Sequence, residues 1–106
     1  MFARSVSIHL KDKSLAEFTR LIEKHALLLL RKQRGFQDEL ALLVPGGREA
    51  VAISLWDEKL SADRYGRNGY QTLLKALSKV TEGTPQVRTF EVCHSTFHKI
   101  EALARI

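Results

Sequence analysis

"FQDELALLVPGGREAVAISLW", Phe36 to Trp56, decides how this chain folds. Two runs rich in Leu, Val, Ile and Ala flank Pro45-Gly46-Gly47, and such punctuation puts a tight turn between two extended segments. The reading is a strand over Phe36–Val44, a turn over Pro45–Gly47 and a strand over Glu49–Trp56, together a β-hairpin.

Working outward, Phe2 to Leu10 alternates, with Phe2, Val6, Ile8 and Leu10 on one side and Ala3, Ser5, Ser7 and His9 on the other. Period two predicts a first strand. Ser14 and Glu17 have the spacing of a capping box. Leu15, Phe18, Leu21, Ile22, His25, Leu28 and Leu29 then follow helical spacing, predicting one amphipathic helix over Ser14–Arg34. After the hairpin, a short helix is expected over Ser61–Arg67. A second follows along Tyr70, Leu73, Leu74, Leu77 and Val80, capped by Asn68 and ending near Gly83 and Pro85. Gln86–Phe97, rich in Val, Thr and Phe, reads as the last strand, and Lys99–Ile106 as a short helix or extension. The order β-α-β-β-α-β predicts a ferredoxin-like α+β fold, a four-stranded antiparallel sheet with its helices on one face.

Composition narrows the function. The 106 residues suit one domain, 1–106, with 44% hydrophobic and 27% charged residues. "MFARSVSIHL" lacks the apolar core of a secretory signal, and "ALLLL" is far shorter than the ~18 apolar residues of a membrane span. The one cysteine, Cys93, has no internal partner and reads as buried, which points to the cytoplasm. The net charge of +5 is scattered, and only Arg31, Lys32 and Arg34 cluster. That knot precedes Gly35, so it reads as the cationic end of a helix rather than a nucleic-acid contact. His94 and His98 lie four apart on the last strand, without a convincing third ligand, so no metal site is expected.

The hairpin also sets an expectation about association. Val6, Ile8, Leu10, Val51, Ile53, Leu55, Leu40 and Leu42 are expected on the sheet face without helices. Covering eight such side chains is worth about 12–24 kcal/mol, at ~1.5–3 each. A second copy of the chain is the expected cover, giving a homodimer through the open sheet face. The helix-side face would then carry Ser5, Ser7 and His9, with Ala50, Ala52, Ser54 and Trp56. Such residues either make room for bulky helix side chains or line a small-molecule cavity, since buried hydroxyls and imidazoles need partners.

"KQRGF", Lys32 to Phe36, and "AISLWDEKLSADRY", Ala52 to Tyr65, together with the element order, resemble the antibiotic biosynthesis monooxygenase domain family over roughly Phe2 to Phe97. The resemblance implies a dimeric α+β barrel with a pocket between sheet and helices. It also implies oxygenation of a small aromatic or quinone-like substrate with no metal, flavin or other cofactor. Trp56 matches the family's pocket tryptophan; alternatively it is an ordinary core aromatic. Many members carry a histidine nine positions further on, where this chain has Tyr65. Haem-degrading relatives use that histidine and a first-strand asparagine; Tyr65 or Gly66 and Ser5 or Ser7 stand there, so haem degradation is not expected. His9 and His25 are the candidate bases, with Ser5, Ser7, Trp56, Tyr65, Asn68 and Tyr70 as substrate contacts. Asn68 has a competing role as a helix cap. A non-catalytic homodimer that binds a small hydrophobic metabolite is the alternative function.

Overall fold

A computed structural model describes residues 1–96. The strand at the centre is β1 (Phe2–Leu10), which pairs antiparallel with β3 (Glu49–Trp56) on one side and β4 (Thr81–Glu91) on the other. Outside β3 lies β2 (Phe36–Leu43), so the strand order is β2-β3-β1-β4. Helix α1 covers residues 15–31 in three pieces: α-helical Leu15–Leu21, a π turn Ile22–Ala26 and α-helical Leu27–Arg31. The short helices α2 (Lys59–Arg67) and α3 (Gly69–Leu77) follow the hairpin. This is the ferredoxin-like arrangement expected from the element order. The expected extension over Lys99–Ile106, and His98, lie outside the described residues.

Cross-strand register decides which face is the core. Val6 pairs with Ala52 and Ile8 with Ala50, so bulky residues of β1 stand opposite small residues of β3 on one face. Side chains on a strand alternate between faces, and paired residues share one. The helices cover this face: Val6, Ile8, Leu10, Ala50 and Trp56 cluster with Phe18, Leu21, Leu30, Leu73 and Leu77. Hence Val6, Ile8 and Leu10 are core residues, contrary to the expectation that they line the open face. Ser5, Ser7 and His9 take their place there, beside Val51, Ile53, Leu55, Leu40 and Leu42. The physical reason is volume. The helices need large partners from one central strand, and β3 supplies only Ala50, Ala52 and Ser54 between Glu49 and Trp56.

The open face is therefore apolar on one half only. Leu40 and Leu42 are 52% and 44% exposed, and Phe90 on β4 is 43% exposed, but Ser5, Ser7, Gln86 and Arg88 break the surface between them. Covering the five aliphatic residues of β2 and β3 contributes at most about 8–15 kcal/mol, less than the eight-residue patch expected from sequence.

Several ends differ from the sequence expectation. Ser14 stands at the start of α1 without a side-chain cap, and Glu17 pairs with Arg20 instead. Strand β4 begins at Thr81, not Gln86: Gly83, at φ +71°, and Pro85 lie in a bulge between the Ser7–Gln86 and His9–Glu82 pairs. Gly and Pro read as breakers, yet an edge-strand bulge accommodates both. Cys93 is exposed, not buried, because it lies beyond the end of β4.

Gly35 joins α1 to β2 at φ +87°, the left-handed conformation that the sequence assigns to it. Its carbonyl accepts from the Asp57 N–H at 2.8 Å, and a Cβ would sit 2.3 Å from both Asp57 Oδ1 and Ser61 Oγ. Gly46, at φ +71°, has open space around it. Gly35→Ala should thus lose about 2 kcal/mol or more in denaturant unfolding, and Gly46→Ala about 1 kcal/mol. Equal losses would contradict the close approach at Gly35.

Candidate functional site

Arg4 shares the face of Val6 and Ile8, so the alternation of β1 drives a guanidinium into the helix–sheet interior. It is 7% exposed. Its guanidinium carbon lies 4.0 Å from the ring centre of Tyr70 and 5.3 Å from that of Tyr65, two cation–π contacts. Arg4 Nη1 is buried and has no hydrogen-bond partner. A buried charged donor left unmade costs about 1–3 kcal/mol or more, a large sum for a domain of this size.

The rings form a chain. Trp56 is fully buried, stacks on Tyr65 at 4.9 Å and 27°, and meets Phe36 edge-on at 5.7 Å. Tyr65 meets Tyr70 edge-on at 6.2 Å. Trp56 Nε1 donates to Ser54 Oγ at 2.9 Å, and the Ser54 hydroxyl donates to the carbonyl of Arg4 at 3.4 Å. The bond network thus runs from the indole to the backbone of the strand that carries the guanidinium.

Beside Arg4 is a cavity of about 30 Å³, walled by apolar residues of all the layers together with Arg4, Glu39, Ser54, Tyr65 and Tyr70. At ~10–15 Å³ for each, two or three water-sized molecules fit. Burial pushes the Tyr65 hydroxyl up to about 12, with Arg4 pulling the other way, and raises Tyr70 for the same reason. Burial, with Asp38 alongside, raises the Glu39 carboxyl. Burial lowers Arg4, opposed by the two tyrosines, but an arginine remains cationic at neutral pH. Among the described residues Glu39 forms no ion pair with Arg4.

The residues singled out from sequence separate into two groups. Tyr65 and Tyr70 stand on the cavity wall, and Trp56 lies one layer behind, supporting Tyr65. Ser5, Ser7 and His9 are on the opposite sheet face, where His9 is exposed and 3.8 Å from Glu49. Asn68 stands between α2 and α3, and its side chain donates to the Arg64 carbonyl at 3.1 Å, closing the earlier helix rather than opening the later one. His25 is exposed on the outside of α1. The π turn accounts for this. Its extra residue advances the buried stripe by one position, so Ala26 and Leu30 face inward where regular spacing places His25 and Leu29. Ile22 and Ala26 from this turn form part of the cavity wall.

Arg4 and Glu39 are the site residues that sequence reasoning missed, whereas Ser54 lies on the helix-side face as expected. The signal for Arg4 was present: a charge in phase with Val6, Ile8 and Leu10. Among the described residues no group of His, Cys, Asp and Glu could hold a metal, and no helix is long and apolar enough to cross a membrane.

No protein-family model matches the sequence, and no curated protein matches it. Solved structures do. The chain is similar to SnoaB, a cofactor-independent oxygenase from Streptomyces nogalater, at 18% identity and TM-score 0.73, covering 90% of this chain and 95% of that one. It is similar to a monooxygenase from the ActVA-Orf6 gene of Streptomyces coelicolor, in complex with nanaomycin D, at 16% identity and TM-score 0.74, covering 89% and 88%. A protein of unknown function from Nitrosomonas europaea, NE2512, gives 14% identity and TM-score 0.74 over 90% and 91%. The chain thus shares the fold of these proteins, the α+β fold class that the sequence resemblance implies.

Two outcomes follow from the burial of this cluster. The raised folded-state value means that Tyr65 keeps its proton at pH 10, where the unfolded chain has begun to lose it, and burial shifts Tyr70 in the same direction. Their contribution to stability is therefore complete below pH 10 and declines as pH rises through about 12 for Tyr65. Phenolate absorbance at pH 10 should be clearly lower in the native protein than in denaturant, where it is about half-developed; half-development in both would refute the burial. Arg4→Met removes the unsatisfied cation at the loss of cation–π contacts worth about 0.5–2 kcal/mol. Its unfolding free energy should stay within about 1 kcal/mol of the parent or exceed it, and a much larger loss would show that Arg4 is structural.

Proposed function

We propose that this protein binds a small aromatic or quinone-like substrate between sheet and helices and oxygenates it without metal or flavin. The observation that carries the reading is the buried Arg4, which lines a cavity, rests against two tyrosine rings and keeps a buried donor without a partner. The fold shared with SnoaB and the Streptomyces coelicolor monooxygenase supports it.

In such chemistry the substrate supplies the electrons. Loss of a proton gives a carbanion or enolate, which passes an electron to dioxygen; one oxygen atom enters the product and the other leaves as water. The protein must take up the proton and hold the anion. Glu39, on the cavity wall with a raised carboxyl, replaces His9 and His25 as the proton acceptor, since neither histidine lines the cavity. Arg4 holds the developing negative charge, and Tyr65 and Tyr70 orient the ring with Trp56 behind them. A cavity of about 30 Å³ is below the ~150 Å³ that a benzene-sized guest fills, so binding must widen it.

The same closeness favours a second reading, a non-catalytic module that binds a small hydrophobic metabolite. In both, two copies pair through Leu40, Leu42, Val51, Ile53 and Leu55 in the cytoplasm, whose reducing conditions suit the free Cys93.

Oxygen uptake with anthrone or a naphthohydroquinone, with no metal or flavin added, is the deciding measurement. The oxygenase reading expects turnover that Arg4→Met lowers by tenfold or more, equivalent to about 1.4 kcal/mol of transition-state stabilisation. A thermal shift with these rings but no uptake would favour the binding module. Sedimentation at micromolar concentration should give a dimer that Leu42→Arg dissociates; a protomer from the parent chain would rule out sheet-to-sheet pairing.

A further inference from the structure

The site explains how a ring could be held, but not why a cation stands at its end. A Cβ on Gly66 would lie 3.5 and 3.6 Å from Arg4 Nε and Nη2, and Arg4 Nη1 is buried with no hydrogen-bond partner. Nothing in the fold requires the charge there, since Val6 and Ile8 on the same face are simply packed. Glu39 shares the cavity but does not neutralise Arg4. The rest of the wall near the guanidinium is aliphatic, including Ile22, Leu30, Leu73 and Leu77. A buried, unmet cationic donor on an arginine that lines an apolar cavity fits a guest with one anionic oxygen and an apolar body.

We propose that Arg4 Nη1 receives an anionic oxygen that the ligand already carries in its resting state, so the natural ligand is a carboxylate or an ionised phenol or enol on an apolar frame. This rests on the ring-binding reading above and narrows it from any small aromatic to acidic ones. In the ligand-free protein the two tyrosine faces hold the cation; in the complex the oxygen completes its hydrogen bonding. Tyr65 and Tyr70, against whose ring faces the guanidinium rests, keep the cation in place for that oxygen.

The test compares matched pairs that differ only in charge: 2-naphthoate with its methyl ester, and 2-hydroxy-1,4-naphthoquinone, ionised at neutral pH, with its methyl ether. Binding is read by thermal shift and by the fluorescence of Trp56, the chain's one tryptophan. The parent protein should prefer at least one anion over its neutral partner by tenfold or more. The pair that shows the preference identifies carboxylate or enolate as the source of the oxygen. Arg4→Met should abolish the preference while still binding the neutral partner, and Arg4→Lys should restore part of it. Equal binding of acid and neutral partner by the parent would overturn the inference and leave ring binding intact. So would a preference that survives in Arg4→Met. Absence of binding by all four compounds would overturn both. The comparison within the parent protein decides the matter even where a variant fails to fold.

Discussion

The pairing of Val6 with Ala52 and Ile8 with Ala50 is the constraint on which the rest of this structure depends. Large opposite small gives the helices a surface they can fill, and it fixes which parity of β1 turns inward. Because a strand has period two, that choice moves every side chain of β1 at once. Arg4 goes inward with Val6 and Ile8, and Ser5, Ser7 and His9 go outward with it. A cation within the core is therefore a by-product of the packing that stabilises the core, and the two tyrosines of α2 and α3 are what make it tolerable.

Much of this was legible in the sequence. The hairpin around Pro45–Gly47, the alternation of β1 and the left-handed turn at Gly35 each have a local chemical cause that a single chain reveals. The orientation of β1 was not, because alternation states that two faces differ without stating which one meets the helices. That depends on the partner strand, and the run Ala50-Val51-Ala52-Ile53-Ser54-Leu55 carries its bulk in the opposite phase. Giving both strands the same apolar direction was the natural reading and the wrong one. The charge at Arg4 would have raised the question, since an arginine in phase with aliphatic neighbours is either a misread strand or a site.

The candidate site divides along the same line. Tyr70 follows from helical spacing and Tyr65 from the resemblance, nine positions after Trp56, and both fall on the cavity. Trp56 supports from behind what it was expected to touch. Glu39 escaped notice because β2 is mostly exposed, and only its register against Ser54 brings it to the inner face. Asn68 illustrates a general ambiguity: between two abutting helices a cap can serve either end, and here it serves the carbonyl of Arg64.

The π turn at Ile22–Ala26 carries a consequence of its own. A helix that takes one residue more than its regular winding acts as a phase shifter, and everything beyond it turns by about 100° relative to a regular helix. In this chain the shift seats alanine where an imidazole would otherwise stand. A regular winding of the same residues would turn His25 inward, adding an imidazole to an interior that already holds the Glu39 carboxyl.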